Sequence, residues 1–518
     1  MQDDLTSKQS DYAIFLPAIS GFYATFIGKQ RVNNDYVDPA RMPQALSDME
    51  QFNWLNGQQA LFPYRWSLYS GGHANLDLSK DDPSEDMVRK RGPDTFMLGD
   101  SGGFQIAKGL WEGDWRANSG CAKAQKKRES VLAWLDGIAD YGMILDIPTW
   151  VIHDQKVAAK IGFSTTDKKL ALQQAVDATK FNNEYFMQHR KGKHNGGAKF
   201  LNVLQGDNHT SADEWYEIMK EYCNPTKYPD THFDGWAMGG QNMCDIHLIL
   251  KRLVTLRYDN LLQEGVHDWM HFLGTSKLEW AVLLTVIQRA VRKYVNPNFT
   301  ISFDCASPFL ATANGQVYHH IDLPNQGKWC YRMSPSADDK KYATDTRTFK
   351  DAVLQDGIFD VFDESPISKH LLIKDICIYK PGDINKNGKE GKTSWDSFSY
   401  VLMMGHNVWM HLESVQRANR KFDSGERPAM LWYRNGDHTK FEDIVDAIFT
   451  APDRNTAESI IEHYDRYWMD IVGTRGFKGK KTKNSNTMYN ALFETVDNTE
   501  NKMSDFDATN IIQSHLEQ

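Results

Sequence analysis

The sequence predicts an α/β protein built on a (β/α)8 barrel of the TIM type, with insertions and a helical C-terminal extension. Short apolar segments recur along the chain, at FLPAIS (15–20), FML (96–98), MIL (143–145), FLNVLQ (200–205), GWAM (235–238), MHFL (270–273) and TISF (300–303). Segments of helical period lie between them, residues 168–189 and 277–294 being the clearest. Seven or so such alternations argue for parallel βαβ units and suit a closed barrel better than an open sheet.

The bulk numbers agree with a folded chain and exclude several classes. The chain has 518 residues, 41% hydrophobic and 12% aromatic, enough for a large core. A net charge of −9 means that overall charge does not draw the protein to nucleic acid, so any polyanion must be met by a local patch. No run of about 18 apolar residues offers a membrane span. The start, MQDDLTSKQSDYAIFLPAIS, lacks the basic opening and long apolar centre of a secretion signal. A cytoplasmic location is therefore expected. Six dispersed cysteines with no CxxC pair encode no disulfide framework.

From about residue 380 the character changes. PGDINKNGKEGKTS (381–394) reads as a surface loop, and YVLMMGHNVWMHLESVQRA as a strongly apolar helix. Further on, Ile460, Ile461, Tyr464, Tyr467, Trp468 and Ile471 recur at helical spacing, and more helix is expected near TMYNALFETV. TRGFKGKKTKN (474–484) reads as a basic loop. The expected division is a catalytic barrel over 1–415, including a metal-site-like region near 370–411, and a helical extension over 416–518.

In a (β/α)8 barrel the residues just past the strand ends converge on one pocket. Here FML leads through Gly99 into DSGGFQ (100–105), MIL ends at Asp146, FLNVL at Gln205-Gly206, GWAM at Gly239-Gly240, MHFL at Gly274 and TISF at Asp304. Three acids, an amide and bare glycine backbone would face one another. Cys305 reads as a core neighbour, and His271 as a satisfied polar residue rather than a ligand.

DSGGFQ, LQG followed by FDGWAMGG, FLGTS and FDCASPFLATANGQ together resemble the tRNA-guanine transglycosylase superfamily, barrel enzymes that exchange guanine for a 7-deazaguanine. The likeness spans roughly residues 13–415. It implies roles that residue chemistry supports. Asp304 would be the nucleophile at C1′ and Asp100 the proton shuttle. Asp146 would accept from the N–H groups of the base, with Gln205 and the Gly240 amide as donors. Gly239, Gly240 and the Ser101-Gly102-Gly103 turn would let backbone approach closely, while Phe104 and Leu273 would cover the two faces of the ring.

Two departures refine the expectation. The tRNA-acting enzymes carry a CxCxxC motif and a later histidine that hold zinc, and the residues standing there are Asp375, Cys377, Lys380 and His406. Zinc is therefore not expected, an Asp375–Lys380 pair replacing part of its structural role; were zinc retained, Cys377 and His406 would be its ligands. Leu310 and Ala313 stand where the tRNA enzymes place two arginines. The resemblance thus points to the bacterial and phage branch that inserts 7-deazaguanines such as preQ0 into DNA. Expected partners are double-stranded DNA and a free 7-deazaguanine base, with a homodimer left open. Arg475, Lys478, Lys480, Lys481 and Lys483 are the phosphate-binding candidates. The HRKGKH run (189–194) precedes a strand and belongs at the barrel's opposite end. The same chemistry on tRNA, an ordinary retaining glycosidase and a non-catalytic partner subunit are the alternative readings.

Overall fold

The computed structural model describes residues 11–192, 195–335, 340–356, 359–378, 395–434 and 438–473. Eight parallel strands form one sheet: β1 (Ile14–Pro17), β2 (Trp66–Ser70), β3 (Phe96–Asp100), β4 (Tyr141–Met143), β5 (Lys199–Leu204), β6 (Gly235–Met238), β7 (Trp269–Phe272) and β8 (Thr300–Cys305). β8 pairs with β1, with Leu16 opposite Asp304. Between β1 and β2 a bridge from Ala18 to Leu68 and a 2.9 Å bond from Ile19 N to the Leu68 carbonyl complete the ring. The expected TIM-type barrel with insertions and helical extension is the fold observed.

Seven of these strands overlap the apolar segments read from the sequence, with ends that differ by three residues at most. The eighth, β2, is WSLYS, in which polar residues interrupt the apolar pattern. Its Ser67 is nonetheless fully buried and donates to the Phe96 carbonyl.

Aromatic side chains at the N-terminal ends of four strands seal the barrel floor. The Trp269 ring stacks on Phe96 at 4.6 Å and lies 5.2 Å from Tyr141, and Trp66 lies 5.2 Å from Phe96. Burying such rings stabilises a core by roughly 2–3 kcal/mol each. Access to the interior is left to the opposite end, where the C-terminal ends of the strands lie. Arg190, of the HRKGKH run, pairs with Asp234 ahead of β6, at the floor end; Lys193 and His194 lie outside the described residues.

After β8 a hairpin of β9 (Gln316–Asp322) and β10 (Cys330–Pro335) is inserted. The helix Ser397–Asp423, capped by Asp396, passes beneath it and is buried along most of its length. A division at 415/416 falls inside this helix. The extension continues with a two-residue pairing of β11 (Trp432–Tyr433) and β12 (Thr439–Lys440), then helices Phe441–Thr450, Arg454–His463 and Asp465–Gly473. The apolar stripe through Ile460 and Trp468 thus belongs to two helices separated at Tyr464. The polar loop 381–394 and TMYNALFETV lie outside the described residues. No helix among the described residues is long and apolar enough to cross a membrane.

Candidate active site

Asp100, Asp146 and Asp304 gather at the open end of the barrel. Asp304, at the end of β8, keeps 14% of its side chain exposed. Its Oδ1 accepts from the Gly274 backbone N–H at 3.0 Å and meets His271 Nε2 at 3.1 Å. Both contacts fall on one oxygen, so the second oxygen is the one available to a reacting atom. Gly274 has φ +60°, a left-handed conformation that suits glycine and turns its N–H back toward β8.

Asp100, at the end of β3, accepts from Ser70 Oγ at 2.6 Å and from the Gly102 N–H at 3.3 Å. Burial pushes its carboxyl above the ordinary carboxylate range, and the charge of Asp304 pushes the same way. The two hydrogen bonds and His271 act against that rise. Asp100 and Asp304 are thus near enough for the charge of one to bear on the other.

Asp146 follows β4 and is 6% exposed. It accepts from Gln205 Nε2 at 2.7 Å. Burial lifts its carboxyl to about 7; Asp100 adds to the rise and the Gln205 bond opposes it. The other Gln205 atom, Oε1, is buried without a hydrogen-bond partner, which leaves polar capacity for a bound group. Glycine backbone frames this pair. A Cβ on Gly239 would stand 2.7 Å from Gln205 Nε2, and one on Gly240, at φ +54°, would stand 2.3 Å from the Gly206 carbonyl. Gly240 N–H opens a 310 turn, the position where no intrahelical acceptor exists.

The DSGG turn locks this arrangement together. Ser101 Oγ donates to the Ile144 carbonyl at 2.9 Å, Gly102 has φ +82°, and a Cβ on Gly103 would stand 2.5 Å from the Asp146 carbonyl. Phe104 is half-buried, 5.8 Å from Trp150, with Lys108 Nζ 5.3 Å from each ring. Leu273 is half-buried at the end of β7, its N–H donating to the Met238 carbonyl at 3.3 Å.

Three neighbours were not assigned to the site by the sequence. His271 lies on β7 opposite Ser302 of β8, its Nδ1 2.9 Å from Ser302 Oγ, while Trp269 Nε1 donates to the same hydroxyl at 2.8 Å. Because the indole only donates, the Ser302 proton is free to point at His271 Nδ1, which leaves the ring proton on Nε2 facing Asp304. His271 is satisfied, as the sequence suggested, but its partner is the candidate nucleophile. Ser70 holds Asp100, and Trp150 completes the aromatic pair with Phe104. Cys305 is a buried core residue near His411, as expected.

The metal-site region does not fit zinc. His406 is buried with Nδ1 2.8 Å from Ser365 Oγ and Nε2 2.7 Å from the Tyr318 carbonyl, so both ring nitrogens serve the fold. Cys377 packs with Ala352 and Ile373 in a separate apolar cluster. Asp375 accepts from the Leu372 N–H at 2.8 Å; Lys380 lies outside the described residues. Among the described residues, the one group of three with metal-ligand chemistry is His247, Glu462 and Asp465. Arg475, Lys478, Lys480, Lys481 and Lys483 also lie outside the described residues.

No protein-family model matches the chain, and a search of curated proteins finds no match.

Proposed function

We propose that the protein is a base-exchange transglycosylase that replaces guanine in DNA with a free 7-deazaguanine. The observation that carries this reading is the placement of Asp100 and Asp304 at the ends of β3 and β8 on one barrel mouth, with the hydrogen-bonded Asp146–Gln205 pair at the same end. In the proposed reaction the free oxygen of Asp304 attacks C1′ as the N9–C1′ bond breaks, giving a covalent glycosyl-enzyme. Asp100, whose raised pKa suits proton exchange, delivers a proton to the departing guanine. The incoming base then gives its N9 proton to Asp100 and attacks C1′, and Asp304 leaves. The atoms and protons of both steps balance between the two carboxylates, the nucleoside and the free base.

Asp146, Gln205 and the Gly240 N–H read the base edge in this proposal. An ionised Asp146 accepts from N1–H and N2–H of a guanine-like ring, while amide donors meet O6. DNA is favoured over tRNA because Leu310 is 5% exposed and Ala313 carries no charge, so neither supplies the guanidinium contact expected of a tRNA enzyme. A duplex target has to flip the guanosine out of the stack, at a cost of a few kcal/mol. The proposed setting is the cytoplasm.

The deciding experiment follows labelled guanine released from duplex DNA and, separately, from tRNA. Release from DNA together with a denaturation-resistant adduct that Asp304→Ala abolishes is the expected result. Release from tRNA alone transfers the chemistry to RNA. An adduct that survives Asp304→Ala removes Asp304 as the nucleophile.

A further inference from the structure

The extension carries a groove of about 450 Å³ between β11 and the helix Asp465–Gly473, lined in part by Trp432, Tyr433, Arg434, Arg466 and Asp470. Its place in the fold is set by the fastenings around it. In a (β/α)8 barrel the helix after a strand begins at the mouth and ends at the floor. Arg454, opening one extension helix, lies 3.9 Å from Asp259 at the floor end of the helix Ile246–Tyr258. At the other end, Glu462 and Asp465 each stand 3.0 Å from a ring nitrogen of His247, the second residue of that barrel helix. The extension thus rises from floor to mouth. Nearby, Ala429 N–H donates to the Gly327 carbonyl, and Trp329 N–H to Glu279 at the mouth end of helix Leu278–Tyr294. The elements that line the groove are therefore fastened near the mouth-side ends of two barrel helices.

Its charge is unlike that of its surroundings. Arg427 is paired with Glu442, and Arg454 with Glu458. Arg434 and Arg466 are exposed, and neither is paired with a carboxylate among the described residues. Asp470, also exposed, is the one acid in the lining. In a chain of net charge −9, two unpaired guanidiniums in one groove are an attractive site for an anion of extended shape. The aromatic wall is held in place: Arg427 lies 4.6 Å over the Trp432 ring, while Tyr433 packs on Tyr464 and Tyr467 at 5.3 and 5.2 Å. Tyr467 in turn donates to the Met430 carbonyl at 2.9 Å.

We propose that this groove binds the phosphodiester backbone of the polynucleotide substrate at a point outside the barrel mouth, with Arg434 and Arg466 each meeting phosphate oxygens. This deepens the transglycosylase reading and rests on it for the nature of the polyanion. Guanidinium matches phosphate bidentately, and the rings give the sugar and bases a rigid apolar wall. The fastening at His247 couples the groove to the loop after β6, which carries Gly239 and Gly240, so a strand held there has a fixed offset from the base site.

The test compares binding of a short labelled duplex DNA, and separately of tRNA, by the full chain and by an Arg434→Gln/Arg466→Gln variant over a range of salt concentrations. Each phosphate contact contributes about 0.9 to the slope of log affinity against log salt. The variant is expected to lose about 1.8 of that slope and about tenfold in affinity at moderate salt, and Arg434→Lys/Arg466→Lys to regain most of the slope. An unchanged slope overturns the proposal, as does a wild-type chain that binds neither nucleic acid. A slope change seen with tRNA and not DNA assigns the backbone to RNA. Guanine release is measured in parallel: if release is absent while the slope still falls, the chemical reading fails and the groove stands; if release occurs with an unchanged slope, the reverse holds.

Discussion

His271 Nε2 faces Asp304 Oδ1 at 3.1 Å, and behind it Ser302 and Trp269 extend the hydrogen-bond chain into the barrel. The candidate nucleophile is therefore aimed from below as well as by the Gly274 N–H.

That contact predicts a kinetic split. His271→Ala removes one of two bonds on Oδ1 without touching the base-reading pair. Loss of alignment of this kind costs about 10²-fold in rate. Adduct formation in a single turnover is expected to slow by about that factor while the affinity for free base stays unchanged. A variant that loses base affinity and leaves the adduct rate intact would place His271 in base binding instead.

Asp146 predicts a pH dependence. Its folded-state pKa, about 7, lies above the ordinary value of 3.8, so the folded chain holds a proton that the unfolded chain releases. Stability from this group is complete below about pH 4, falls as pH rises, and is lost once pH passes about 7, at roughly 1.4 kcal/mol per unit across that window. Asp146→Asn, which cannot ionise, should raise the melting temperature at pH 8 and leave it nearly unchanged at pH 4. The same change should abolish preference for guanine-like bases. In the wild type, affinity for those bases should weaken as pH drops below 7, because the protonated carboxyl accepts fewer bonds. Equal melting shifts at both pH values would contradict the burial argument.

Gly240 and Gly274 form an internal control. Both have positive φ, at +54° and +60°. A Cβ on Gly240 meets the Gly206 carbonyl at 2.3 Å, whereas nothing lies within 4 Å of one on Gly274. Gly274→Ala should cost about 1–2 kcal/mol from backbone strain alone. Gly240→Ala should cost clearly more, and should also lower base affinity, since the loop must shift from Gln205. Thermal unfolding of the two variants gives the comparison; equal losses would mean that the loop after β6 yields freely.

Much of the barrel and its mouth was legible because each strand announces itself twice, by an apolar run and by the polar or glycine residue that closes it. Asp100, Asp146, Gln205, Gly239 and Asp304 each end such a run, so their convergence is a consequence of the topology. β2 was missed because its serines break the run, and Ser70, the partner of Asp100, went with it. From the sequence His271 reads as a satisfied polar residue, because its meeting with Asp304 depends on the register between β7 and β8, which neither strand encodes by itself. The single stripe through Ile460 and Trp468 concealed a helix break at Tyr464, because both helices bury the same side against the barrel.

The pairing of Leu16 with Asp304 ties the candidate nucleophile to the first strand of the ring. Such a contact closes a very long loop, and contacts of that separation form late and slowly. As the chain is synthesised, Asp304 cannot join Asp100 and Asp146 until the last strand has met the first. Maturation of the site and completion of the ring are one event, so a partly folded chain in which Asp100 and Asp146 already stand together would still lack Asp304 at its place.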